Sequence, residues 1–269
     1  MKIPSKHNFL DLNKKYSDYK SSSIILNFLS ESESISTSPE LKIIKASAKL
    51  SKFDEEMSRE ACFDFGITTV HQTITNKNSA KIVDNIAAQI EDKKFPIIVS
   101  SSEKICITIS QKLISEISDS CIILSSHPNP VVSLNELEKG KERIKLLLVG
   151  GRNFSKIEYS ELRENGVICF LSREIRLGMY QNNWVQLIAN SLSANVFIYF
   201  DATVLDPSVI SSSKEPGGLF WDEILNLLKI ICQDKNISGI VITGYSPTKI
   251  DQNASYFISK LIYKIISYL

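Results

Sequence analysis

Short apolar runs rich in β-branched residues recur along the chain: Ser23–Leu29, Phe95–Val99, Cys121–Leu124, Ile144–Val149, Val167–Leu171, Asn195–Phe200 and Gly239–Thr243. Each is continuous rather than alternating, so a strand formed from it has both faces covered, as in a parallel sheet between layers of helices. Between the runs, helical patterns occupy Ser79–Ile90, Glu103–Ser118, Trp184–Ala194, Trp221–Asp234 and Tyr256–Leu269. Strand and helix alternate through nearly the whole length. That predicts the α/β class, as a single doubly wound domain whose mostly parallel β-sheet is flanked by helices. No internal repeat or linker interrupts the pattern, so the expected domain is 1–269, with residues 1–22 as a flexible N-terminal extension. The serine-rich stretches Glu31–Ser38 and Ser208–Ser213 read as loops.

In an open parallel sheet, ligands bind where loops converge at the carboxyl ends of the strands. The informative positions are therefore Ser100–Lys104, Ser125–Asn129, Asp201–Asp206 and Gly244–Pro247. Hydrophobic residues make up 43% and charged residues 23% of the 269, which is enough for a substantial core. A formal net charge of +1 gives no general attraction to nucleic acid or to an anionic membrane. No stretch reaches the roughly 18 apolar residues that span a bilayer. The odd number of cysteines (Cys62, Cys106, Cys121, Cys169 and Cys232, none in a CxxC pair) reads as buried free thiols in a reducing compartment, so a cytoplasmic location is expected.

One segment carries a specific pattern. Phe200-Asp201-Ala202-Thr203-Val204-Leu205-Asp206-Pro207, followed by Glu215-Pro216-Gly217-Gly218-Leu219, resembles the signature of the ureohydrolases, the arginase and agmatinase relatives. In that family a strand ends in Phe-Asp-x-Asp, continues Val-Leu-Asp-Pro, and reaches Pro-Gly-Gly-Leu after a loop. Ser38–Leu50, Pro96–Ile105, Ile122–Asn129 and Ile258–Ile265 resemble other blocks of the family, so the similarity runs over roughly residues 23–269. The resemblance implies an arginase-like fold and two divalent ions, usually manganese, activating a hydroxide that attacks a guanidinium carbon. It also implies a homo-oligomer, a trimer or hexamer.

Compared residue by residue, the ligands that the resemblance implies are mostly replaced. The first histidine falls on Glu103. In the second block the first aspartate is Ser125, His127 is kept, and the last aspartate is Asn129. In the third, Asp201 is kept and its partner is Thr203. The glutamate that faces the guanidinium falls on Gly244. The family's four aspartates balance two divalent ions, whereas Asp201 and Glu103 alone supply negative charge here. The resemblance therefore implies a pseudoenzyme with a degenerate metal site, acting as a binding or regulatory subunit beside an active ureohydrolase. The alternative is a hydrolase of a C–N bond in an amidine or guanidino compound, using a single ion on His127, Asp201 and Glu103. No cofactor is expected, with manganese or another divalent ion as the candidate for the residual site.

Each candidate ligand also has a plain structural reading. His127 fits a hydrogen-bonded residue at a strand end, Asp201 a turn holder, and Glu103 a favourable charge at a helix start. Asp206-Pro207 and Pro216-Gly217-Gly218 fit turn formers. Gly150-Gly151-Arg152 lacks the spacing of a phosphate-binding motif and reads as a turn. The segment Pro130–Arg143 reads as a short loop with none of the family's substrate-gripping elements.

Overall fold

A computed structural model describes residues 7–31, 38–75, 77–135, 137–139, 142–181, 183–211, 213–245 and 252–269. In chain order the elements are α1 (Lys14–Ser17), β1 (Ile24–Ser30), α2 (Pro39–Ser47), α3 (Ala61–Phe65), β2 (Ile67–Thr73), α4 (Ser79–Glu91), β3 (Phe95–Val99), α5 (Glu103–Ile117) and β4 (Ser120–Leu124). They continue with α6 (Asn129–Leu134), a hairpin of β5 (Glu138–Lys139) and β6 (Glu142–Arg143), β7 (Lys145–Gly151), α7 (Lys156–Glu164), β8 (Ile168–Leu171), α8 (Ser172–Arg176) and α9 (Trp184–Ser191). The last are β9 (Asn195–Asp201), α10 (Trp221–Asp234), β10 (Asn236–Thr243) and α11 (Gln252–Tyr268). Apart from the hairpin, the strand pairings are parallel, and helices follow the strands as the apolar runs predict. The fold class is α/β.

The backbone clusters into two compact units, one drawn from Met1–Ser102 and Ser246–Leu269, the other from Glu103–Tyr245. In the first unit the strand order is β2-β1-β3. Every residue of β1 is buried, which is why its sequence is apolar except at Asn27, whose amide pairs with Gln89, and at the terminal Ser30. Ser38 caps α2 by accepting from the Leu41 amide, and Pro39 stands at the first helical position. The Ser38 hydroxyl also meets His71 Nε2 at 3.2 Å. Helix α11 packs against α2, with the Ser259 hydroxyl donating to the Ile43 carbonyl at 2.8 Å.

Strand β2 is missing from the apolar runs, because Thr68, Thr69, His71 and Gln72 dilute its pattern. The threonines are satisfied locally: Thr69 Oγ1 accepts from the Phe9 amide at 2.9 Å, and Thr68 Oγ1 donates to the Ser17 carbonyl at 3.2 Å. Within the 1–22 segment, Phe9, Leu10 and Leu12 are buried.

In the second unit the order is β10-β9-β4-β7-β8. Helix α7 has no apolar run to announce it. Its start is fixed instead by a capping box, with the Glu158 amide donating to Ser155 Oγ and the Ser155 amide to Glu158 Oε2, and it buries only Leu162. The 130–143 segment is not simply a loop, because it opens with α6, where Pro130 sits in the first turn and Val131 and Leu134 are buried. Helix α9 ends at Ser191, short of the expected Ala194, because Leu192 turns to an extended backbone. Among the described residues, no helix is long and apolar enough to cross a membrane.

Candidate functional site

Strands β10, β9 and β4 lie side by side in the second unit, and their carboxyl ends deliver Gly244, Asp201 and Ser125 to one place. Asp201 is the last residue of β9 and is almost completely buried. Its carboxylate is held on three sides. Ser125 Oγ donates to Oδ2 at 3.0 Å, His127 Nε2 lies 3.0 Å from the same oxygen, and the Thr203 amide donates to Oδ1 at 2.9 Å. The loop after β4 is knitted into this group. Ser125 Oγ accepts from the His127 amide at 3.3 Å, and Thr203 Oγ1 accepts from the Ser126 amide at 3.4 Å. Glu103, the first residue of α5, completes the cluster: one ligand-type atom each from Glu103, His127 and Asp201 lie within 4.8 Å of one another.

The structure thus brings together Glu103, Ser125, His127, Asp201, Thr203 and Gly244. Asn129 opens α6 and lines an open groove of about 540 Å³ with Glu103, Lys104, Glu158 and Glu161. Ser246 and Pro247 lie outside the described residues, as do 32–37 of the first serine-rich loop.

Burial alone would depress the His127 pKa. The hydrogen bond and charge of Asp201 outweigh that and hold it above the ordinary 6.5. The Glu103 carboxyl is pushed above its ordinary 4.5, first by burial and further by the charge of Asp201, with His127 opposing. Four buried side-chain atoms around this group have no hydrogen-bond partner: Glu103 Oε1, His127 Nδ1, Tyr199 Oη and Thr243 Oγ1. Sequence reasoning misses Tyr199 and Thr243. The available signal is strand alternation, which puts Tyr199, two residues before Asp201, on the same face of β9. Thr243 is the direct register partner of Asp201.

Arg152 is more than a turn residue. Its guanidinium donates to the carbonyls of Thr203 (2.9 Å), Val204 (3.1 Å), Leu205 (3.0 Å) and Glu215 (2.9 Å), clasping the loop that follows Asp201. The Asp-Pro and Pro-Gly-Gly parts of the signature hold each other: Asp206 Oδ2 accepts from the amides of Gly217 (2.9 Å) and Gly218 (3.2 Å). A Cβ on Gly218 would overlap the Asp206 backbone, so the glycine is needed for the turn itself. The motif is therefore maintained by loop architecture whether or not chemistry occurs beside it.

Two divalent ions do not suit this donor set. Ser125 and Thr203 are neutral, and two carboxylates do not offset four positive charges around the buried Asp201. One ion suits it better, since two carboxylates and an imidazole are the donors that a divalent transition ion prefers.

The sequence profile of the Arginase family matches residues 124–267, more than half of the chain. The N(1)-aminopropylagmatine ureohydrolase of Synechocystis sp. is 26% identical over 253 residues, covering 84% of this chain and 80% of that protein. Among solved structures, the agmatine ureohydrolase of Thermoplasma volcanium superimposes with a TM-score of 0.79 at 16% identity, over 99% of this chain and 94% of that one. The formimidoylglutamase of Bacillus subtilis does so with a TM-score of 0.75 at 18% identity, over 100% and 94%. The signature around Asp201, the parallel fold and these matches lead to one conclusion: the chain belongs to the arginase family.

Proposed function

We propose that this chain is a ureohydrolase-family protein that has given up the two-ion hydrolytic reaction and serves as a binding or regulatory subunit. The environment of Asp201 carries this reading. Of the four aspartates that the family resemblance implies, it alone is kept, and neutral Ser125 and Thr203 stand against it where carboxylates are expected. The place of the guanidinium-facing glutamate is taken by Gly244, whose backbone has no room for a side chain. The chain assembles as a homo-oligomer, a trimer or hexamer, and associates with an active ureohydrolase. None of the five cysteines is joined in a disulfide, in keeping with a reducing, cytoplasmic setting.

A second reading is favoured by the closeness of Glu103, His127 and Asp201, within 4.8 Å of one another. It is a hydrolase of a linear amidine or guanidino C–N bond working on one ion. Light scattering and affinity capture from the native source test the subunit role. An oligomer with a co-purifying arginase-like or agmatinase-like chain is expected, and an isolated monomer would contradict it.

A further inference from the structure

We propose that the site binds one divalent transition-metal ion, with Glu103, His127 and Asp201 as its protein ligands and with the Tyr199 and Thr243 hydroxyls as partners for the waters that complete its coordination. This rests on the reading that the two-ion cluster has been lost.

The spacing supports a shared ion. Ligands at about 2.1 Å from an octahedral ion stand about 3 Å apart when adjacent. His127 Nε2 and Asp201 Oδ2 are 3.0 Å apart, and one ligand-type atom from each of Glu103, His127 and Asp201 lies within 4.8 Å of the others. Charge points to the same stoichiometry. Two carboxylates neutralise one divalent ion and leave nothing for a second, because Ser125 and Thr203 supply only a hydroxyl and an amide to Asp201.

The unpartnered atoms make a separate argument. Buried polar groups are ordinarily hydrogen-bonded, so each exception needs a physical account. Glu103 Oε1, Tyr199 Oη and Thr243 Oγ1 are buried and unpartnered, and the last two belong to fully buried residues. Tyr199 pairs in register with Val241, and Asp201 with Thr243, so all four side chains share one face of β9 and β10. Helix α5, which starts at Glu103, contacts β9 and β10. The two hydroxyls are thus gathered beneath the ligand cluster rather than scattered through the core. Three protein ligands leave coordination positions for water, and hydroxyls are suitable partners for metal-bound water.

Calorimetric titration of chelator-stripped protein with Zn²⁺ and with Mn²⁺, together with the visible absorption of the Co²⁺ form, tests the assignment. Saturation at one ion per chain is expected. Glu103→Gln should weaken binding by at least tenfold. Tyr199→Phe should keep the stoichiometry, weaken binding by about tenfold and alter the cobalt spectrum. Circular dichroism establishes that each variant is folded. Folded protein that binds no ion, or a Glu103→Gln variant that binds as tightly as the parent, would overturn this inference while leaving the loss of the two-ion reaction standing. Saturation at two ions per chain would overturn both.

Discussion

Gly244 and Asp201 compete for one volume. Gly244 has a left-handed backbone (φ 70°), and a Cβ built on it would overlap Asp201 Oδ1 and come within 2.8 Å of Asp201 Cγ. The glycine is therefore a structural requirement of the present Asp201 position. It is also the position where the family resemblance puts a glutamate.

Restoring that glutamate should harm the protein. The left-handed backbone alone costs an ordinary residue about 1–2 kcal/mol, and displacing Asp201 adds to that. Gly244→Glu and Gly244→Ala should both lower the midpoint of chemical denaturation. Wild-type stability in either would mean that the strand end is freer than its geometry implies.

His127 should respond to pH. Its folded pKa is raised above 6.5, so the stability it contributes is fully present below that value and lost as pH rises through the folded pKa. In chelator-stripped protein, the stability advantage of wild type over His127→Asn should shrink as pH increases from about 6 to 9. A histidine proton resonance titrating at or below 6.5 would contradict the Asp201 pairing. Glu103 behaves in the opposite sense. Its raised pKa makes its ionised form costly, so Glu103→Gln should stabilise the stripped protein at neutral pH even as it weakens metal binding.

The first unit contains its own electrostatic anchor. Lys264 on α11 donates to Asp54 Oδ1 at 3.0 Å and to Glu56 Oε2 at 3.1 Å, with the Lys264 and Asp54 side chains only 4% and 0% exposed. Burial would raise the Asp54 pKa, but Lys264 and the Met57 amide hold it below the ordinary 3.8. Its contribution is therefore present above that value and lost as pH falls through the folded pKa. Lys264→Met should destabilise by about 3–5 kcal/mol, because it strands a buried carboxylate, and the double change with Asp54→Asn should recover much of that. A double mutant no better than the single would show that packing, not charge, sets the loss.

The core strands are legible in the sequence because β1, β4 and β9 are buried on both faces and read as mostly apolar runs. Strand β2 is not, since its Thr68 and Thr69 bond with the N-terminal segment rather than with anything near in sequence. Helix α7 escapes notice because its surface is polar and its start depends on a side-chain cap. At the site, residue types single out Glu103, His127 and Asp201, and the fold brings them within 4.8 Å of one another. The placement of Tyr199 and Thr243 beside them depends on strand register, and the clasp made by Arg152 on carbonyls about fifty residues away.

Rebuilding the family's ligands separates metal binding from catalysis. The quadruple change Glu103→His, Ser125→Asp, Asn129→Asp and Thr203→Asp adds three carboxylates and removes one, a net gain of two negative charges. It should raise manganese binding toward two ions per chain in calorimetric titration, without urea release from agmatine. Gly244 offers no carboxylate to orient a guanidinium, and orientation carries much of such a rate. Agmatine hydrolysis by this variant would show that the substrate pocket has survived.

The proposed loss of two-ion hydrolysis is tested most directly by urea release. Wild-type protein incubated with excess Mn²⁺ should release no urea from arginine, agmatine or N1-aminopropylagmatine above the level of Asp201→Ala. Urea release by wild type that vanishes in Asp201→Ala would contradict the account.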